Sequence, residues 1–347
     1  MKGLSKKNFA QVFFDLDGIC QLKVYGKPAL VEQVKKELGF YLTALESRPL
    51  TLDLEIELAD LSSYQPSSNP ADLPPYDFPY QHKLARGIIR FERLSQPPHR
   101  IRFYGNYFSR LTLAKQIIEP AIRWKAQELG FIFVHSTCLA KENKGVVLAG
   151  AGGSGKSRVL VHWLRKGNPF LSDDFTILSY GRARRYITPI RLGARLLWES
   201  GAREISHLLR FEIYFRTAFR RLLFNYAQLQ KKLEIKRLFP EVKILESVEL
   251  KAIVLAEGSA EQRKEISPQE MVDLLLKVNQ KEMYGFDNYL SGLAERAGIK
   301  ELGEFFLVQK ERLSHYLEEL PCFLIPAPSR MSQRAINELL NWLEEFF

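Results

Sequence analysis

At 347 residues, with 46% apolar side chains and a formal net charge of +10, the chain is long enough for two domains, or for one large domain with insertions, around a real core. No run approaches the ~20 apolar residues of a membrane span and no secretory signal pattern opens the sequence, which excludes a spanning or exported protein from the expectations. Cys20, Cys138 and Cys322 are odd in number and far apart, and the six histidines are scattered, so the sequence points to a reduced, cytoplasmic protein without a zinc site.

Residues 9–26 read as a strand pair, and Phe13-Phe14-Asp15-Leu16-Asp17-Gly18 within them as a strand ending in an Asp-Gly turn. The same six residues resemble the nucleophile motif of haloacid-dehalogenase-type phosphatases, a phosphatase reading that Ile19-Cys20 does not continue. Residues 29–45 have helical spacing, and 51–58 alternate strictly as a half-buried strand. Residues 62–78, rich in Ser, Pro, Asn and Asp, read as a surface loop. Strands follow at 85–94 and 100–104, then a helix at 111–129 with a kink or break expected at Pro120. Residues 1–130 thus form a smaller α+β module.

From Phe131 the character changes. Residues 131–134 and 145–149 are continuous apolar strands suited to a sheet covered on both faces. A helix at 156–166 and strands at 169–171 and 175–180 come next, followed by basic, aromatic-rich helices over about 195–245. A strand at 249–256, a helix at 267–277, further helices, a strand at 321–325 and a closing helix at 331–347 complete an α/β domain spanning 131–347.

The chemistry concentrates after the strand at 145–149. Gly150, Ala151, Gly152, Gly153, Ser154, Gly155, Lys156 and Ser157 fit G-x-x-x-x-G-K-S/T between a strand and a helix, the pattern of a phosphate-binding loop. Glycines let the backbone close on a phosphate, and the N–H groups at the helix start face the anion. Lys156 adds charge at the β/γ-phosphates and the Ser157 hydroxyl helps to hold Mg²⁺. One helix and a turn downstream, Asp173 and Asp174 sit at a strand end facing this loop. Phosphoryl transfer needs a metal contact and a base for an attacking hydroxyl, and a carboxylate pair can supply both.

The order His135, the 150–157 loop, Gly167 and Ser172-Asp173-Asp174 resembles the HPr kinase/phosphorylase family, whose nucleotide-binding core is shared with ATP-type phosphoenolpyruvate carboxykinase. The resemblance covers 131–347. It implies an ATP- and Mg²⁺-dependent kinase in which Asp173, Asp174 and His135 are catalytic. The Asp pair provides base and metal contact without fixing which does which, and Asp174 joins Ser157 as the expected metal ligand. HPr kinases carry an Arg-Gly-x-Gly segment downstream. Here that region reads Arg195-Leu196-Leu197-Trp198-Glu199-Ser200-Gly201, with Glu199 as a candidate displaced ligand, so the acceptor differs from HPr. The expected acceptor is a hydroxyl, serine of a protein or peptide or a small molecule. The alternative is a nucleotide-binding regulatory or assembly module without phosphotransfer.

The cations Arg203, Arg210, Arg216, Arg220, Arg221, Lys231, Lys232, Lys236 and Arg237 interleave with Phe211, Tyr214, Phe215, Phe219, Phe224 and Tyr226. Aromatics at helical spacing read first as packing, with the cations solvated. An acidic protein or peptide partner is the sharper alternative. No nucleic-acid recognition motif is present.

Overall fold

The computed structural model describes residues 9–43, 51–66, 76–94, 96–202, 205–222 and 231–347. The chain divides into two compact units, one of residues 1–131 and 280–309, the other of residues 132–279 and 310–347. Segment 280–309, expected with the second domain, therefore belongs with the first.

In chain order, the first unit begins with the hairpin β1 (Ala10–Asp15) and β2 (Gln21–Gly26). Its turn has Asp17 and Gly18 at positive φ, and the Gly18 N–H donates to the Asp15 carboxylate at 2.7 Å, as an Asp-Gly turn requires. Helix α1 (Pro28–Leu38) is shorter than its spacing suggested. Gly39–Tyr41 form a 3₁₀ turn, and Leu42–Thr43 (β3) pair with β1; positions 44 and 45 lie outside the described residues. β4 (Leu54–Asp60) buries Leu54, Ile56 and Leu58 and turns Glu55 and Glu57 to a charged face, where Glu57 meets Arg100 and Arg102. The expected 62–78 loop ends early, because Tyr76–His82 form β5; residues 67–75 of it lie outside the described residues. Pro79 hid this strand from a composition-based reading, and β5 lies at the sheet edge, where a missing N–H is tolerated.

β6 (Ala85–Glu92) and β7 (His99–Gly105) complete the described strands in the order β3-β1-β2-β4-β7-β6-β5. At the expected Pro120 break, a wide π turn over Ala114–Ile118 passes into α2 (Glu119–Glu128). Pro120 thus sits inside a continuous helix directly after the π turn, whose altered hydrogen-bond spacing accommodates the missing N–H.

The second unit opens with β8 (Ile132–Val134), β9 (Ser136–Lys141) and β10 (Lys144–Gly150), followed by α3 (Lys156–Arg165), β11 (Phe170–Ser172) and β12 (Thr176–Ser179). β13 (Arg182–Arg184) leads to β14 (Ile190–Leu192), α4 (Ala194–Ser200) and α5 (His207–Leu222). β15 (Lys231–Leu233) returns to pair with β14, a small ladder that helical spacing did not reveal, and α6 (Ile235–Leu238) follows. β16 (Ser247–Glu257), β17 (Lys264–Ile266) and α7 (Pro268–Lys281) come next. After α8 (Phe286–Ala297) and α9 (Lys300–Gly303) of the first unit, the chain finishes with α10 (Phe305–Leu317), β18 (Cys322–Pro326) and α11 (Gln333–Leu343).

The protein is thus mixed α/β. β10 runs parallel to β16, and β16 parallel to β18, while β9 and β11 extend the other side antiparallel. Val147 and Ala149 of β10 join a cluster with Met271, Leu275, Leu313 and Leu317 from α7 and α10. The alternate residues Val146 and Leu148 face the opposite side, where α3 packs across β9 and β10. Cover on both faces explains why β10 is apolar throughout. Among the described residues no helix is long and apolar enough to cross a membrane.

Candidate active site

Two strand breaks at one level of the sheet create the site. The chain over 132–141 changes partner at His135: β8 pairs with β12, whereas β9 pairs with β10 and β11. The chain over 170–179 breaks at Asp173-Asp174, and Ser172 and Thr176 pair on either side of the break with Cys138 and Val134. The two interruptions are tied by the Ser136 N–H donating to the Asp174 carbonyl at 3.1 Å. The turn after β10 joins them through the Gly150 N–H, which donates to the His135 carbonyl at 3.3 Å. Asn279 of α7 braces the first break, accepting from the His135 N–H at 3.1 Å and donating to the Phe133 carbonyl at 2.9 Å.

The glycine-rich turn itself is held closely. Gly155 has φ +101°, and a Cβ there would stand 2.3 Å from the backbone nitrogen of Ser329. Ser329 lies in the 3₁₀ turn Pro328–Arg330 after β18, and its N–H donates to the Ser154 carbonyl at 2.8 Å. Gly155→Ala combines a disfavoured φ, costing about 1–3 kcal/mol, with a backbone clash. We expect it to lower the melting temperature, measured by paired thermal melts of parent and variant. A melt unchanged from the parent would mean that this turn is not clamped.

Lys156 is buried and its ammonium donates to the carbonyls of Gly150 at 2.7 Å and Ala151 at 3.2 Å. Ala151, Gly152 and Gly153 are exposed. The Ser154 hydroxyl, buried in the same turn, has no hydrogen-bond partner among the described residues. A cradle of exposed backbone, a buried ammonium and an unsatisfied hydroxyl fits a phosphate group chemically.

Ser157, in the first turn of α3, donates its hydroxyl to both carboxylate oxygens of Asp173, at 3.0 and 2.9 Å. Asp173 is buried, and its carboxyl is pushed up to about 6, first by burial and then by the neighbouring charge of Asp174; Ser157 and Lys156 pull the other way. Asp174, half-buried with φ +67°, has its carboxylate 3.8 Å from the Arg191 guanidinium on β14. The His135 ring is buried edge-on against Phe175, with centroids 5.2 Å apart. The structure therefore brings together His135, the 150–157 turn, Asp173 and Asp174.

Glu199 is a different matter. It lies on α4 and is buried, and both of its oxygens accept from Arg158 Nε at 2.7 Å, with Arg195 Nε at 3.1 Å. These guanidinium groups hold its carboxyl below the usual range against the effect of burial. The expectation of Glu199 as a displaced metal ligand is corrected here: it neutralises Arg158. Arg158 in turn donates to the Pro328 and Met331 carbonyls at 2.9 and 2.7 Å, fixing the turn that clamps Ser154. Among the described residues no group of three or more His, Cys, Asp and Glu side chains converges as a metal nest. A cation here would therefore rely on Ser157, a carboxylate and the phosphates it accompanies.

Arg191, Arg158 and the 328–330 turn escaped the sequence reading. The one available signal was Pro326-Ala327-Pro328 directly after an apolar strand, because ligand sites in parallel sheets gather at the carboxyl ends of strands.

The aromatics of α5 correct another expectation. Phe211, Phe215 and Phe219 stack in succession and are 68%, 59% and 42% exposed, with Leu208 on the same stripe, so they do not pack inward as expected. Arg216 and Lys231 are drawn to Glu212. Arg203, Phe224, Tyr226 and the side chains of Arg220 and Arg221 lie outside the described residues. No protein-family model and no curated protein sequence matches this chain.

Proposed function

We propose that the chain is an ATP- and Mg²⁺-dependent phosphotransferase of the HPr kinase/phosphorylase type, with residues 150–157 as its phosphate-binding loop. It transfers the γ-phosphoryl group to a hydroxyl, serine of a protein or peptide, in the cytoplasm. The observation that carries this reading is the Ser157 hydroxyl bonded to both oxygens of Asp173 beneath the glycine-rich turn, with Asp174 and His135 on the adjoining strand breaks.

Lys156 leaves the loop carbonyls to meet the β/γ-phosphates, and backbone N–H groups of the turn hold the rest. Ser157 and one carboxylate would hold Mg²⁺, whose charge offsets that developing on the phosphate oxygens. The Ser157 contact favours Asp173 for this role, reversing the assignment of Asp174 expected from the sequence. Asp174 then accepts the proton of the acceptor hydroxyl, with Arg191 beside it to orient its carboxylate. The buried His135 holds the geometry of the break. The exposed aromatic stripe and the basic 195–243 segment suit an acidic peptide or protein as the acceptor-bearing partner.

The commitment of Glu199 to Arg158 leaves two carboxylates where a kinase of this type would use three. That favours a second reading, a nucleotide sensor or assembly module that transfers nothing. Incubation with γ-labelled ATP and serine-bearing acidic peptides separates the two. Label on an acceptor that disappears in Lys156→Ala supports the kinase; label in free phosphate alone, or nowhere, supports the sensor.

A further inference from the structure

The second unit contains a cleft of about 630 Å³ at the far end of α3, and no residue of the 150–157 turn lines it. Its walls are the last turn of α3, the end of α4 and the first half of α11. The volume lies within the range of small-molecule sites.

Two of its side chains are left with unused binding capacity. The Arg165 guanidinium gives one N–H to the Glu199 carbonyl at 2.9 Å and has no carboxylate within ion-pair distance among the described residues. Its remaining nitrogens lie over Gly201, where a Cβ would stand 3.5 Å from Nε. Trp198 is 73% exposed, an indole presented to solvent on the cleft wall. His162 is only 6% exposed; Gln333 donates to its Nδ1 at 3.3 Å, which leaves the ring proton on Nε2. That nitrogen is itself buried and faces Glu199 Oε2 at 3.8 Å, so it closes the floor of the cleft and is not offered to an anion.

An uncommitted guanidinium and an exposed indole on one cleft wall together call for an anionic acceptor on a flat apolar body. The neighbouring Lys166 is already held by Glu344 at 2.7 Å, so a single cation remains for the ligand. One cation matches a carboxylate better than a doubly charged phosphate. We infer that this cleft is a binding site, separate from the glycine-rich turn, for a small aromatic carboxylate whose carboxylate lies on Arg165 and whose ring lies on Trp198.

The probe is 2-naphthoate, with 2-naphthalenemethanol as its uncharged counterpart, titrated into the full chain by calorimetry and saturation-transfer NMR. The acid should bind saturably and at least about tenfold tighter than the alcohol, the worth of one charge-assisted pair. Arg165→Met and Trp198→Ala, both at the surface, should each weaken binding about tenfold with unchanged thermal melts. Lys156→Ala and added ATP should leave it unchanged, whether or not the chain is a kinase. Equal affinity for acid and alcohol, indifference to Arg165→Met, or displacement by ATP would overturn the assignment.

Discussion

The Asp173→Asn/Asp174→Asn double variant should lose phosphotransfer by roughly 10²–10⁴-fold or more while still binding ATP, because it removes the proposed base and the proposed metal-side carboxylate but leaves the glycine-rich turn intact. The single variants divide the roles. Asp174→Asn should lower kcat with the Mg²⁺ requirement unchanged, whereas Asp173→Asn should raise the Mg²⁺ concentration needed for half-maximal rate. Undiminished labelling of acceptor by the double variant would sink the mechanism.

The same substitution has an effect on stability that runs against its effect on rate. The Asp173 carboxyl is raised from its usual 3.8 to about 6 in the folded protein by burial and by Asp174. Between those values the folded chain binds more protons than the unfolded one, so stability falls as pH rises through about 4 to 6, and the deficit persists above it. In metal-free protein at pH 8, Asp173→Asn should therefore raise stability, and near pH 4 the gain should vanish. Paired melts in a chelating buffer at the two pH values measure this. A gain of equal size at both would remove ionisation as its cause.

Glu199→Ala should be the most damaging change away from the turn. It strands the buried Arg158 guanidinium and loosens Arg195, and breaking a buried ion pair from one side costs about 3–5 kcal/mol. Because Arg158 also holds the Pro328 and Met331 carbonyls, the loss should reach the loop and weaken nucleotide binding as well. Denaturant unfolding gives the first number and ATP titration the second. Glu199→Gln, which retains an acceptor for one Arg158 N–H, should fall between the parent and the alanine variant. A Glu199→Ala protein as stable as the parent would show that the pair is dispensable.

How much of the fold and site was legible in the sequence depends on how local each signal is. The glycine-rich turn is written in eight consecutive residues, because a backbone that must approach another segment of the chain closely can use little but glycine there, as Gly155 against Ser329 illustrates. The Asp pair and the apolar strands were similarly local. By contrast, β9 was missed because Ser136 and Thr137 interrupt its apolar run; both are buried, with hydroxyls bonded to the Val134 and Ser172 carbonyls. Glu199 was misread because no local pattern tells a metal ligand from the counter-ion of an arginine 41 residues upstream. The α5 phenylalanines were misread because helical spacing specifies that a stripe exists and leaves open whether anything lies against it.

Among the described residues, the excursion between β14 and β15 is fastened at its ends and at its first helix. The ladder pairing Ile190 with Leu233 closes its ends, and Glu199 anchors its first helix to α3. In sequence it resembles a detachable insert between two strands. Its removal would nevertheless unseat a charge beside the helix that carries Lys156 and Ser157. Anyone grafting a new acceptor-recognition segment into this scaffold would have to retain α4 and exchange only the residues beyond it, so the joint for recombination lies after Gly201 and not at the strand ends.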